Sequence, residues 1–118
     1  MSATADFVET VTIDTFDSLV LKSSTPVAVE FMSYGCEHCR LLEPVLQSVA
    51  ESLGSQVAIA RVNIAADQEL ASRFDIRGTP TLVMFLNGVE VGRAVGPVPT
   101  VSGVREAIVG TFDGDARS

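Results

Sequence analysis

The chain has 118 residues, of which 47% are apolar, and it carries a formal net charge of −7. This length fits one compact domain, residues 1–118, which should bury roughly two-thirds of the surface that the unfolded chain exposes and needs no disulfide to hold its core. The negative charge argues against binding to nucleic acid or to an anionic membrane surface, because phosphate groups would be repelled.

The first segment, MSATADFVET, has neither the basic start nor the apolar stretch of a secretory signal. No apolar run reaches the ~20 residues that a membrane-spanning helix needs. These features predict a soluble, cytoplasmic protein. Because the cytosolic thiol pool disfavours structural disulfides, a close cysteine pair in that compartment is expected to be catalytic or metal-binding.

The first third of the chain predicts a strand, a helix and a second strand. Residues 7–13 form the first strand, and Asp14 follows as the N-cap of the helix. The apolar side of that helix consists of Phe16, Leu19 and Val20. Residues 27–32 are a nearly continuous apolar run, interrupted by Glu30, and such a run is typical of a strand covered on both faces.

The longest predicted helix begins at Cys36 and ends at Gly54, which suits a helix C-cap. Pro44 lies inside it and should bend it. Apolar side chains at helical spacing form one stripe along this helix. The stripe consists of Leu42, Val45, Leu46, Val49 and Leu53.

The second half of the chain predicts two strands around a short helix, and then a hairpin. Residues 57–64 and 81–86 are the two strands, and Asp67 caps the helix between them. The apolar residues of that helix are Leu70, Ala71 and Phe74. Asn87-Gly88 is a strong signal for a two-residue hairpin turn.

The strand after the hairpin turn shows period-two spacing, and a closing helix follows it. The strand positions are Val89, Val91, Arg93 and Val95, and the helix positions are Val101, Val104, Ile108 and Phe112. The tail, residues 114–118, is expected to fray. The order of elements predicts an α/β fold with a central mixed sheet and helices on both faces.

Residues 33–40, SYGCEHCR, hold both cysteines and the only histidine of the chain. Cys36 should lie beyond the carboxyl end of a strand, where the chemistry of such sheets is usually found. At the start of a helix, unpaired backbone N–H groups and the helix dipole would favour its thiolate, which is the reactive form in thiol exchange. Cys39 would lie one turn later, where its thiol can attack a mixed disulfide on Cys36.

Three other roles for these residues are alternatives to redox chemistry. A structural disulfide between Cys36 and Cys39 would close a single helical turn and would stabilise little. A zinc site would have three candidate ligands, Cys36, His38 and Cys39, where four are usual. A peptide-binding module with incidental thiols is the non-catalytic alternative.

Several motifs in order make the chain resemble the thioredoxin family over about residues 6–112. The motifs are VAVEF, CEHCR, Pro44 five residues after Cys39, ARVNI at 60–64, RGTPT at 77–81, the Asn87-Gly88 hairpin and Gly96. The resemblance implies the thioredoxin fold and a thiol-disulfide oxidoreductase that reduces or exchanges protein disulfides.

The resemblance also implies roles for individual residues. Cys36 would be the nucleophile, Cys39 the resolving thiol, and Pro80 a cis-proline facing them. The implied substrate-binding residues are Tyr34, Gly35, Glu37, Thr79, Pro80 and Gly96. The Cys36–Cys39 disulfide would be the redox-active group, with no further cofactor and no metal. The implied partners are disulfide-containing client proteins and an NADPH-dependent flavin thioredoxin reductase, and a monomer is expected.

The residues between the cysteines depart from the family pattern. Glu37-His38 replaces the usual Gly-Pro, and Gly35 and Met32 replace two common tryptophans. A cationic or hydrogen-bonding His38 should stabilise the Cys36 thiolate and so make the disulfide a stronger oxidant, as in protein disulfide isomerases. An oxidase-like or isomerase-like enzyme is therefore an alternative, and His38 as an ordinary surface residue is another.

Glu30 falls where the family usually has a buried aspartate, and Arg61 falls where it usually has a lysine. A buried carboxyl at position 30 would have a raised proton affinity and could take the proton of Cys39 as a general base. The alternative is a structural ion pair in which Arg61 keeps Glu30 ionised.

Overall fold

A computed structural model of the chain describes residues 6–117. These residues form five strands, a π-helical turn and three α-helices. In chain order the elements are β1 (Val8–Thr10), the π-helical turn (Asp17–Leu21), β2 (Val27–Met32), α1 (Glu37–Leu53), β3 (Ala58–Asn63), α2 (Gln68–Arg73), β4 (Thr81–Leu86), β5 (Val89–Val95) and α3 (Val101–Arg117).

The five strands form one mixed sheet in the order β1-β3-β2-β4-β5. β1, β3 and β2 run parallel to one another, β4 is antiparallel to β2, and β5 is antiparallel to β4. The predicted α/β fold, with parallel crossovers first and a hairpin last, is thus confirmed. Within residues 6–117 no helix is both long and apolar enough to cross a membrane.

The central strand β2 is buried along its whole length, as its apolar run predicted. Val29 and Phe31 belong to an apolar cluster on the face covered by the π-helical turn and α2. Ala28 belongs to the other cluster, which is formed with α1 and α3. Because side chains alternate along a strand, Glu30 shares the face of Ala28 and is buried under α1.

Helix α1 has the predicted limits. Cys36 is its N-cap, and Gly54 is its C-cap with a positive φ of 57°. The predicted stripe faces the sheet: Val45 is half-buried, and Leu42, Leu46, Val49 and Leu53 are buried. Pro44 lies inside the helix, and the bend there stays a prediction.

The segment after β1 differs from its prediction. β1 ends at Thr10, and the Thr12 carbonyl oxygen accepts hydrogen bonds from the N–H groups of Thr15 and Phe16. The π-helical turn that follows has no side-chain cap, so the prediction of Asp14 as a cap was wrong. A turn this short packs only one narrow side against the sheet. Phe16 and Val20 lie on that side and are buried. Leu19, which was predicted to lie on the same apolar side, is 40% exposed.

The hairpin after β4 has the predicted turn, but β5 does not keep period two. Asn87 and Gly88 both have positive φ, 51° and 80°, as a type I′ turn requires. A β-bulge follows, because Met84 pairs with Gly92 whereas Phe85 pairs with Glu90, which leaves Val91 as an extra residue. The bulge changes the alternation, so Val91 and Ala94 pack on the core while Val89 and Val95 are exposed.

Two predicted helix ends also need correction. Asp67 is the N-cap residue of α2, but its side chain makes no capping bond and instead accepts a hydrogen bond from the Ile13 N–H at 3.1 Å. Helix α3 continues to Arg117 through most of the tail predicted to fray, and Ser118 lies outside the described residues.

Candidate active site

Cys36 and Cys39 lie at the start of α1, directly after the loop that leaves β2. Both are free thiols. Cys36 has extended backbone angles and is partly exposed, whereas Cys39 is only 2% exposed. The Cys39 N–H donates a hydrogen bond to Cys36 Sγ at 3.1 Å. The spacing thus places an accessible sulfur at the surface and a second sulfur one turn deeper.

The pKa of Cys36 is lowered by its position at the helix N-terminus. Burial is the largest single influence and opposes ionisation. It is outweighed by hydrogen bonds from the side chains of Cys39 and Thr79 and from the backbone N–H groups of Cys39 and His38. Backbone donors of this kind are the unpaired groups that every helix start offers. Cys36 is therefore the thiol better suited to act as a nucleophile.

The environment has the opposite effect on Cys39. Burial, and next its hydrogen bond to Cys36, raise the pKa of Cys39 to about 11. At neutral pH this thiol is protonated while Cys36 is free. A reaction in which Cys39 attacks a sulfur atom therefore requires a group that accepts its proton.

Three segments of the chain meet around Cys36. The Thr79–Pro80 peptide bond is cis, as the resemblance implied. The Cys36 thiol donates to the Thr79 carbonyl oxygen at 3.5 Å, and the Gly96 N–H donates to the Pro80 carbonyl oxygen at 2.8 Å. The start of α1, the loop before β4 and the end of β5 thus form one surface.

Exposed apolar side chains lie on the loops that form this surface. Tyr34 is 69% exposed in the loop before Cys36, and Val95 is 70% exposed at the end of β5. Gly35 is open, since a Cβ built there meets no atom within 4 Å. An exposed apolar surface beside a reactive thiol can accommodate an extended protein segment.

His38 contacts the end of β5, not the Cys36 sulfur. Its Nε2 lies 3.0 Å from the Pro97 carbonyl oxygen, so this nitrogen carries the hydrogen of the bond. A Cβ at Gly96 would lie 3.7 Å from the ring. The hydrogen bond that His38 gives to Cys36 comes from its backbone. Glu37 is exposed, and its carboxylate lies 3.8 Å from Arg40.

Glu30 lies beneath α1 and is 1% exposed. Neither carboxyl oxygen has a hydrogen-bond partner. Burial, and next the negative charge of Glu43, raise the pKa of Glu30 to about 8, with Arg61 acting in the opposite direction. This is the buried, proton-retaining carboxyl that the sequence predicted.

Arg61 does not pair with Glu30, so the predicted alternative of an ion pair between them was wrong. Its guanidinium lies 2.6 Å from Glu43 Oε2 and 3.2 Å from Asp6 Oδ2, and it donates to Thr10 Oγ1 at 3.1 Å. The positive charge of Arg61 is thus paired with the outer carboxylates of Asp6 and Glu43, and it does not neutralise Glu30.

Asp6 and Glu43 were not among the predicted site residues. Glu43 had a signal in the sequence, because it lies four residues after Cys39 and so on the same side of α1. Asp6 had no such signal, because it is far from Arg61 in the sequence. Both residues line an open pocket of about 550 Å³ beside Cys39, which Met32 and Tyr34 also line.

The described residues contain no cluster of metal ligands. Among the residues described, no group of three or more His, Cys, Asp or Glu side chains is placed to hold an ion. The His38 ring, which the sequence offered as a third ligand, is directed to Pro97.

Comparison with known proteins agrees with the site. The family model described as Thioredoxin matches residues 7–107. Thioredoxin 1 of Synechococcus elongatus is 40% identical over 89 residues, which cover 75% of this chain and 83% of that protein. A thioredoxin of Rickettsia bellii is 37% identical over 86 residues, covering 73% and 82%, and one of Mycolicibacterium smegmatis is 35% identical over 98 residues, covering 81% and 88%.

Proposed function

Because the chain belongs to the thioredoxin family and is a thiol-disulfide oxidoreductase, we propose that it reduces the disulfides of client proteins in the cytoplasm. Cys36 is the nucleophile and Cys39 the resolving thiol. The observation that carries this proposal is the contrast between the two sulfurs: the pKa of the accessible one is lowered and that of the buried one is raised.

In the first step the Cys36 thiolate attacks one sulfur of a client disulfide. The client S–S bond breaks, a mixed disulfide forms, and the departing client thiolate takes a proton from solvent. The hydrogen bonds that favour the Cys36 thiolate support this order of events, because they act on the accessible sulfur.

In the second step Cys39 gives its proton to the ionised form of Glu30, which is the minor form at neutral pH, and attacks Cys36 Sγ. The Cys36–Cys39 disulfide forms as the second client thiolate leaves, so the client gains the two electrons that the enzyme loses. A carboxylate with a pKa of about 8 is a stronger base than an ordinary glutamate, whose pKa is 4.5. This raised pKa supports Glu30 as the proton acceptor.

The client segment binds across the loops around Cys36. The backbone of Thr79–Pro80 and Gly96 borders the thiol, so an extended chain that reaches Cys36 lies along it. Tyr34 supplies an apolar contact, and the open space at Gly35 admits varied side chains. Glu37 adds one exposed negative charge at the edge.

The Glu37-His38 pair sets a reduction potential above that of a Gly-Pro pair. The favoured Cys36 thiolate stabilises the reduced form, and His38 holds the start of α1 against Pro97. A proline at position 38 would lack the backbone N–H that contributes to this thiolate. A raised potential would also serve an oxidase-like or isomerase-like enzyme, which is the second candidate function.

The double variant Glu37→Gly/His38→Pro is expected to have a potential lower by at least about 30 mV, because ~1.4 kcal/mol of lost thiolate stabilisation corresponds to that shift in a two-electron couple. Equilibration with glutathione buffers measures both proteins. The single variant Glu37→Gly is the control for the exposed charge. A wild-type potential at or below that of the double variant would contradict the assigned poise.

We also propose how the oxidised protein is reduced again. We expect a monomer that uses its own disulfide and no other cofactor, and that is re-reduced by an NADPH-dependent flavin thioredoxin reductase. The thioredoxin relatives support this class of partner.

Two assays test the function. With dithiothreitol present, the protein should accelerate the precipitation of reduced insulin, which a peptide-binding module would not do. With NADPH and the flavin reductase of the source organism, it should make NADPH oxidation depend on insulin disulfides. Insulin reduction without NADPH oxidation would reject this electron source, whereas failure of both assays would reject the function.

A further inference from the structure

We propose that Glu43 is a positioning residue for disulfide exchange, because together with Asp6 it holds the Arg61 guanidinium away from the Glu30 carboxyl. The inference rests on the proposed role of Glu30 as the base of the second step. Glu43 does not touch the reacting sulfurs. It acts through the place that Arg61 occupies.

The sheet register would let Arg61 reach Glu30. The two residues are direct partners on the neighbouring parallel strands β2 and β3, so their side chains leave the sheet on the same face. Yet both Glu30 oxygens lack a partner. The guanidinium instead extends to the edge of the sheet, where Glu43 lies 2.6 Å away and Asp6 lies 3.2 Å away.

The outer carboxylates are the better partners because they remain in contact with water. The side chain of Asp6 is 58% exposed and that of Glu43 is 36% exposed, so pairing there removes little hydration. Pairing with Glu30 would bring the guanidinium deeper under α1, with the desolvation that a buried ion pair entails.

Gln47 fixes the outer arrangement. Its Nε2 donates to Asp6 Oδ1 at 2.6 Å and to Glu43 Oε2 at 3.0 Å, so it joins both carboxylates across the guanidinium. Its Oε1 accepts from the Phe7 N–H at 2.8 Å, which anchors the start of β1 to α1. Arg61 is thus held by a connected network and not by one surface ion pair.

The charges around Glu30 follow from this network. From β3 the charge of Arg61 acts on it, and from α1 the charges of Glu43 and Cys36 do. Arg61 carries one positive charge but is matched by two carboxylates, so the group as a whole is negative. Burial, the charge of Glu43 and that of Cys36 all raise the pKa of Glu30, and the displaced Arg61 only partly opposes them.

Removing the Glu43 charge tests the inference. In Glu43→Gln the guanidinium loses its shortest contact, and Arg61 can turn towards Glu30. The titration midpoint of the Glu30 carboxyl, followed by ¹³C NMR in the oxidised protein, is expected to fall by at least about one pH unit, as for a carboxylate that gains an arginine. The oxidised protein is used because neither cysteine titrates in it.

Three further variants decide what causes a shift. Glu51→Gln removes the same charge from an exposed position on α1 and should leave the midpoint in place. Arg61→Gln should abolish most of the effect of Glu43→Gln when the two are combined. Asp6→Asn should lower the midpoint in the same direction and repeats the test if Glu43→Gln does not fold.

The result that overturns the inference is an unchanged midpoint in folded Glu43→Gln, or an equal fall with and without Arg61. The pH profile of mixed-disulfide resolution is measured in parallel, and its midpoint should move with that of Glu30. If the carboxyl titration moves but the kinetic profile does not, Glu30 is not the base and Glu43 has no role in exchange. Insulin reduction by the wild-type protein would still stand.

Discussion

Cys39→Ser is expected to stop after one covalent step and to accumulate a mixed disulfide between Cys36 and its client. The serine hydroxyl cannot attack Cys36 Sγ, but it can replace the hydrogen bond that the Cys39 thiol gives to Cys36. The Cys39 N–H, which lies 3.1 Å from that sulfur, is also retained. The nucleophile therefore stays active while resolution is lost.

The measurement is single-turnover reaction of the reduced variant with insulin, quenched by acid and analysed without reductant. The covalent adduct should persist at least about a hundredfold longer than in the wild-type protein, because no second thiol is available to release the client. Mass spectrometry should assign the adduct to Cys36.

Cys36→Ser is the matched control. Its remaining thiol is 2% exposed, and the pKa of Cys39 in the intact site is about 11, so this variant should form no adduct at neutral pH. Rapid adduct formation at Cys39, or full turnover by Cys39→Ser, would show that the roles of the two sulfurs are assigned the wrong way round.

Much of this site could be predicted because its determinants are local. The i, i+3 spacing places Cys39 one turn after Cys36 wherever a helix begins at Cys36. The nearly continuous apolar run from 27 to 32 predicts that this strand is buried. Glu30 in that run had to be buried, either without a partner or in an ion pair with Arg61. Its burial could therefore be predicted, whereas its lack of a partner could not.

The rest depended on contacts between distant parts of the chain. Arg61 forms ion pairs with Asp6 and Glu43 and not with its strand neighbour Glu30, and this preference depends on solvent access at the sheet edge. The His38 ring hydrogen-bonds to the carbonyl oxygen of Pro97, which lies 59 positions further along the chain. Neither partner follows from a periodic pattern.

The bulge in β5 shows the same limit within one strand. The spacing of valines predicted one continuous face, but the pairing with β4 contains an extra residue at Val91. Gly92 lies close to α3, since a Cβ there would come within 2.7 Å of the Thr111 methyl group. Strand pattern alone does not reveal a helix packing this closely.

Glu30 should make the folded protein less stable as the pH rises. Burial raises its pKa from the ordinary value of 4.5 to about 8. The unfolded chain therefore releases this proton near pH 4.5, while the folded protein keeps it until about pH 8. The favourable contribution is complete below the unfolded pKa, declines through that interval and is lost above pH 8, a change on the order of 5 kcal/mol in the free energy of unfolding.

Denaturant unfolding of the oxidised protein between pH 5 and pH 9 measures this slope without interference from the thiols. Glu30→Gln has no proton to release and should lose most of the slope, whereas the exposed control Glu51→Gln should keep it. Glu30→Met, which buries a similar volume without charge, should be more stable than the wild-type protein at pH 9 by a similar amount.

The substitution Glu30→Gln separates the two consequences of burying a carboxyl under α1. Without a proton acceptor at position 30, Glu30→Gln should resolve the mixed disulfide roughly a hundredfold more slowly, which is the usual contribution of a positioned proton acceptor. A normal resolution rate would remove Glu30 from the mechanism. A pH slope that persists in Glu30→Gln would show that another group is responsible for it. If both effects appear, the buried charge that lowers stability at high pH is also the group that lets the inner sulfur react.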